Sequence, residues 1–502
     1  MKRWKRRILF VIAAGFTMLA VALFIAISYY LSPVHVPDLD PKKILKRDLP
    51  EPSSHTSNAL IDDKENLALL VLAPKETEGQ PGGKDYLEAL LKIKEREKRD
   101  NALIYYAVAA WLSPEIPTNR QRELINEILE KGWRSPESDE LLPYLESWQR
   151  ALDKIRQGAA LDHAEGIGIT KDYNTPILPN YAAKMLCVEG RYLESQDRYA
   201  EALDDYLTAL TMGRDYTSPG NFLISHLLGC AFDAIALRQI DRLARNGILN
   251  EDDNLRALQH VDHIEASFGD TVDAVSLEMA STLHAIHRTL EDPAEMTKYI
   301  EKTLGPTSSP ELVTLWNALF SGDQNIRNRF FSKVYLRFII TRNTERIGPD
   351  AEALYDLQTQ VLEEPWYKDP TALNKRFEKQ IEQSHPLMRI MMWNPMEAKV
   401  RRLRVISSLR QTQLALAVSV WKNRHGEYPD NLDCLFPDPI KACLPIDPFS
   451  GMSFHYRSDP IIDSFDLWSV GPDTLNENLT ILYDSTNGSV SQGDLVVNPV
   501  LR

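Results

Sequence analysis

Two pairs of histidines have the spacing most suited to chemistry in this chain of 502 residues. His260 and His263 stand three apart, as do His284 and His287, and each pair falls in a stretch of helical periodicity. Residues three apart share a helix face, so each pair presents two imidazoles to one side. With Glu265 or Glu278 such a pair could bind a transition metal. The HExxH arrangement of zinc hydrolases is missing, however, and surface histidines on a helix face explain the same spacing, so no metal is expected there. Nucleophile and phosphate motifs are equally thin: GxSxG, the Walker loop and GxGxxG do not occur. Ser419 and Lys422 have Ser-x-x-Lys spacing, but inside one long helix where packing accounts for both. The carboxylate pairs Asp204-Asp205 and Asp252-Asp253 read as solvated faces or helix starts. No catalytic residue is expected.

The four cysteines depend on the compartment. Outside the cytoplasm an even count makes disulfides reasonable. Cys434 and Cys443 bracket a short, proline-bearing loop and are expected to pair. Cys187 and Cys230 lie in apolar helical stretches, where buried thiols and a second bridge both fit.

The compartment is read from the N-terminal segment. Ile8–Leu31 is a charge-free run of 24 residues behind a leader that holds Lys2, Arg3, Lys5, Arg6 and Arg7. A helix of that length exceeds the roughly 30 Å hydrocarbon core and can span it with some tilt. Cations held on the cytoplasmic side put the remaining 471 residues outside. A cleavable signal peptide is the alternative, but its apolar core typically runs about 7–15 residues. Here the one small-x-small site, Ala26-Ile27-Ser28, lies within the run. The expected location is a bacterial inner membrane, single-pass, with the N-terminus cytoplasmic and the bulk extracytoplasmic. The formal net charge is −14 and the leader contributes five cations, so the exported part carries −19. That surface repels phosphate backbones and excludes nucleic acid as a partner. It leaves the N-terminal helix as the contact with membrane.

Ser32–Asn58 carries five prolines and reads as an extended stalk. Residues 59–393 are mostly helical by period, with clear runs at Asp85–Leu112, Gln121–Lys131, Glu140–Gln157, Tyr181–Arg214, Asn221–Asn246 and Asp270–Leu290. Gly190, Tyr199, Ala202, Tyr206 and Ala209 resemble the small-and-aromatic pattern of a tetratricopeptide repeat, which implies two closely packed antiparallel helices. No second copy lies 34 residues away on either side, so an ordinary αα-hairpin is the simpler reading. From Asn394 the texture changes. Asn394 suits an N-cap, Pro395 the first helical position and Glu397 the other half of a capping box. A long helix should run to Gly426, followed by short strands at Ser453–Arg457, Phe465–Val470 and Leu479–Tyr483.

The segment 394–502 resembles the globular domain of type II secretion major pseudopilins. The matching motifs are His425-Gly426-Glu427-Tyr428-Pro429 at the helix end, Asp447-Pro448-Phe449-Ser450-Gly451 with Tyr456, and Phe465-Asp466-Leu467-Trp468-Ser469-Val470-Gly471-Pro472-Asp473. The resemblance implies a helix packed on a small antiparallel sheet. It also implies calcium in the loop after Gly471, where Asp473 matches and Asn476, Glu477 and Asn478 could add oxygens; the later paired aspartates are missing, and a solvated polar turn is the simpler reading. Pseudopilins carry an assembly helix directly before this module, whereas here about 360 residues intervene. Ala20 stands where their processing site has glutamate, and apolar residues precede Gly15, so processing into a pilus is not expected. The whole layout is similar to large single-pass exported proteins of planctomycete-like bacteria.

The expected fold class is therefore mainly α: a transmembrane helix (1–31), a stalk (32–58), a partly tetratricopeptide-like helical domain (59–393) and a small α+β pseudopilin-like module (394–502). The expected function is a non-enzymatic, membrane-anchored extracytoplasmic scaffold whose partners are envelope proteins. A type II secretion accessory and an exported hydrolase with an unrecognised site are the alternatives.

Overall fold

The computed structural model describes residues 36–46, 101–164, 177–291, 342–484 and 491–498. The apolar run at 8–31, most of the stalk and residues 59–100 lie outside the described residues. The helices, in chain order, are α1 (Pro41–Leu45), α2 (Ala102–Leu112), α3 (Asn119–Lys131), α4 (Leu142–Ala159), α5 (Ile177–Glu194), α6 (Tyr199–Thr217), α7 (Leu223–Arg245) and α8 (Glu251–Ala266). They continue with α9 (Thr271–Glu291), α10 (Ile347–Glu363), α11 (Thr371–Gln383), α12 (Pro386–Met391) and α13 (Pro395–His425). Strands β1 (His455–Asp459) and β2 (Ser464–Trp468) pair antiparallel, with Tyr456 opposite Leu467. The protein is thus mainly helical with one small two-stranded sheet. The chain forms two compact units, one of residues 1–47, 279–357 and 375–393, the other of 48–278, 358–374 and 394–502.

In the second unit, local chemistry sets the helix ends. Thr118 and Gln121 form a reciprocal capping box at the start of α3. Asn394 caps α13 by accepting the Met396 N–H, and Pro395 takes the first helical position. Glu397 sits in the first turn, where the helix dipole favours an acid. Gly426 stops α13 in the left-handed region at φ 81°. The helical run Tyr181–Arg214 is two helices, α5 and α6, broken where Asp197 adopts φ 60°.

These two helices form a tight αα-hairpin. A Cβ at Gly190 would sit 2.3 Å from Cε1 of the fully buried Tyr206 ring, so only glycine allows this approach. Helix α7 packs against α6, and α13 lies across α7 and α8. Leu409 and the run Leu414–Val418 on α13 are fully buried in the same core as Phe232, Ala236 and Val261. Phe465 and Leu467 of β2 join that core, so the C-terminal segment and the helices before residue 279 share one interior. Arg245 reinforces the junction, donating to the Phe465 carbonyl at 3.2 Å with its guanidinium 4.7 Å from the Phe465 ring centroid. By length and composition α7 is, among the described residues, the one helix apolar enough to cross a membrane, yet 56% of its apolar window is buried inside the protein.

A second core lies under the first half of α13, built from Val361, Trp366, Met396, Val400, Phe449 and Val470. Two polar residues brace it. Lys399, 3% exposed, donates Nζ to the carbonyls of Val361, Leu362 and Glu364, closing the open end of α10. Asp447, 1% exposed, accepts from Phe449 N–H and Ser469 Oγ on one oxygen and from Val470 N–H and Ser450 Oγ on the other. The third expected strand, Leu479–Tyr483, is reduced to an isolated bridge between Leu482 and Asp494.

In the first unit, residues 36–46 of the expected extended stalk hold the short helix α1, capped by Asp40. Leu39, Ile44 and Leu45 there are buried, and Lys46 is ion-paired with Glu352.

Candidate functional site

The histidine pairs do not build a metal centre. His260 Nε2 lies 2.9 Å from Thr211 Oγ1, and that hydroxyl donates to the Leu207 carbonyl, so the imidazole is the donor to it. Burial lowers the His260 pKa to about 4, which keeps the ring neutral. His263 faces the Arg214 guanidinium at 3.3 Å, a cation where a metal would have to sit. Glu265 turns to Arg410 and Gln413, and Glu278 is a largely buried acid whose pKa is raised by burial. His287 pairs with Glu291 at 3.4 Å. Among the described residues no group of three or more His, Cys, Asp or Glu is placed to hold a metal ion.

The loop where the pseudopilin resemblance implies calcium, and where a solvated polar turn is the simpler reading, spends its oxygens on hydrogen bonds within the protein. Asp473 accepts from Leu475 N–H and Gly493 N–H; Asn476 Oδ1 accepts from Trp468 Nε1 and Asn478 N–H. Asn478 enters through its backbone, at φ 53°. The candidate ligand set Asp473, Asn476 and Asn478 is a chain of side-chain-capped turns. Beside it, Glu477 Oε2 and Asp494 Oδ1 are buried without a hydrogen-bond partner among the described residues, and burial raises the pKa of both acids.

The expected Cys434–Cys443 bridge is not formed in this structure: Cys434 Sγ donates to Asn431 Oδ1 at 3.7 Å, and all four cysteines are free thiols. Burial pushes the Cys187 and Cys230 thiols far above the ordinary range, so both are inert small hydrophobes. Ser419 donates to the Ala244 carbonyl and receives Asn254 Nδ2, while Lys422 reaches Asp463, so that spacing serves packing.

Sequence reasoning missed a buried acid at the crossing of α6 and α7. Asp233 is 0% exposed and neither of its oxygens has a hydrogen-bond partner among the described residues. It fills a notch left by Gly213, where a Cβ would stand 1.9 Å from Asp233 Oδ1. Nearby, Asp215 receives Tyr106 OH at 2.6 Å and the Arg214 guanidinium at 2.6 Å. Desolvation, and then the Asp215 charge, hold the Asp233 carboxyl well above the usual range. The sequence held one signal: Asp233 lies on the buried face of α7, between Cys230 and Leu237. A second network missed is Arg156 held by Asp205 and Glu189, with burial raising the Asp205 pKa to about 7.

Exposed apolar side chains are concentrated elsewhere. Of the eleven large hydrophobic residues exposed among the described residues, eight lie within 436–482, including Phe436, Met452, Ile461, Leu475 and Ile481. These positions sit on turns whose backbones are fixed by side-chain caps, as at Asp447, Asp459 and Asp473. Comparison with protein-family models, with curated proteins and with solved structures finds no match for this chain.

Proposed function

We propose that the protein is a membrane-anchored extracytoplasmic scaffold that binds envelope proteins and carries out no catalysis of its own. The observation that carries this reading is the distribution of exposed apolar surface. A soluble face rarely holds large apolar residues in a cluster unless something covers them. Here eight of the eleven that are exposed among the described residues fall in one segment of the chain, 436–482, while His260 and Ser419 are committed to internal hydrogen bonds. The paired α5–α6 hairpin, with its tetratricopeptide-like contact of Gly190 and Tyr206, and the pseudopilin-like order of α13, β1 and β2 act as the frame for that surface. The cationic leader and the apolar run at 8–31 supply the anchor and the orientation.

Protease shaving of intact spheroplasts tests the anchoring. External protease should remove the region after residue 31 while leaving cytoplasmic markers whole; full protection of the chain would overturn the reading. The purified full-length chain should show no turnover on ester, peptide or glycoside substrates.

A further inference from the structure

Helices α6 and α7 meet backbone to backbone. A Cβ at Gly229 would stand 2.5 Å from the Gly213 carbonyl oxygen, and one at Gly213 would stand 3.0 Å from the Gly229 carbonyl oxygen. Asp233 lies one turn beyond Gly229 on the same face of α7, so its carboxyl is pressed into this seam. Cys230, also buried and on the adjoining turn of α7, shares the same interior.

The charged groups around Asp233 leave it without a partner. From α6, the buried Asp215 lends a like charge, and the Arg214 guanidinium is fixed on Asp215 by two hydrogen bonds at 2.9 and 2.6 Å. The remaining Arg214 nitrogen faces His263 of α8 at 3.3 Å. From α2, Tyr106 OH donates to Asp215. From α5, Glu194 holds Arg191 and Arg242, the latter more than two turns along α7 from Asp233. From α13, the charges of Arg401 and Arg402 bear on Cys230, and Arg402 stands 3.8 Å from Asp270. No donor reaches either Asp233 oxygen among the described residues. A carboxylate formed in the closed seam would have neither water nor a hydrogen-bond donor, and such an ion is far costlier to bury than the acid with its proton. Burial, and then the Asp215 charge, accordingly raise the Asp233 pKa.

We propose that Asp233 is a proton-gated latch of the α6–α7 seam: with its proton it packs against Gly213, and when the proton is lost the seam parts and water reaches the carboxylate and Cys230. The step moves one proton from the Asp233 carboxyl to hydroxide or a buffer base and breaks no other covalent bond. The latch lies within the helical frame and is independent of the scaffold reading.

The test is alkylation of the full-length chain in detergent with iodoacetamide, in steps from about pH 6 to about pH 9, with each cysteine peptide quantified by mass spectrometry. The exposed Cys443 supplies the pH dependence of the reagent itself, and the buried Cys187 on α5 reports whether opening spreads through the core. In the wild type the ratio of Cys230 to Cys443 labelling should climb with pH by up to roughly tenfold per unit, since each unit favours the open, ionised form tenfold. Cys187 should stay protected meanwhile. In Asp233→Asn the ratio should stay level. A level ratio in the wild type overturns the latch, as does a climb that survives Asp233→Asn. Cys187 labelling that climbs in step with Cys230 overturns it too, because the seam would then open only with the whole core. Asp233→Ser, which also removes the acid and is smaller, takes the place of Asp233→Asn if that chain does not fold, with the same outcomes.

Discussion

Asp233→Asn should make the protein more stable, and the gain should grow with pH. In the fold the carboxyl is fully buried at the α6–α7 crossing, with neither oxygen hydrogen-bonded among the described residues. Burial raises its folded pKa well above the ordinary 3.8. The sign follows from linkage. Above pH 4 the unfolded chain releases this proton and the folded chain keeps it, so stability falls as pH rises until the folded pKa is reached. The slope is about 1.4 kcal/mol per pH unit for a single group. As pH rises from the unfolded pKa toward the folded one, the wild type should therefore lose stability that Asp233→Asn keeps. Asp215, also raised by burial, adds a slope of the same sign in both chains. The assay is urea unfolding of both proteins at pH 5, 6 and 7, followed by circular dichroism. A stability difference that does not change with pH would mean that Asp233 is ionised or solvated in the fold.

Three further substitutions probe the frame. Gly190→Ala should cost about 1–3 kcal/mol, because the new methyl meets the immobile Tyr206 ring; a thermal midpoint equal to wild type would contradict the close approach. Lys399→Met should cost about 1–3 kcal/mol by leaving the carbonyls at the end of α10 without their donor, measured by the same urea assay. Asp447→Ala removes the acceptor of four hydrogen bonds under α13, so a loss of at least about 3 kcal/mol is expected, with the Trp366 fluorescence change marking disruption of the second core.

Much of the local structure was legible because its causes are local. Asn394-Pro395 and Gly426 bound α13 as their capping chemistry dictates, and the Gly190–Tyr206 contact was written into the small-and-aromatic spacing. What could not be read depends on contacts far apart in sequence. That α13 and β2 share a core with α7 rests on Arg245 meeting Phe465, a pairing across 220 positions. The solitary burial of Asp233 exists because Gly213, on another helix, leaves room for it. The turn oxygens of Asp473 and Asn476 looked free for a cation because their partners, Gly493 and Trp468, are brought in by the fold.

The most direct test of the scaffold account is a side-by-side capture. Wild-type full-length chain and a Met452→Asp, Leu475→Asp, Ile481→Asp variant are recovered from detergent-solubilised envelopes, and bound proteins are quantified by mass spectrometry. All three positions are exposed, so the variant should keep the wild-type thermal midpoint. The account predicts a defined set of proteins held by the wild type and lost from the variant. An identical set on both chains would contradict it, because the exposed apolar side chains of Met452, Leu475 and Ile481 would then have no part in binding.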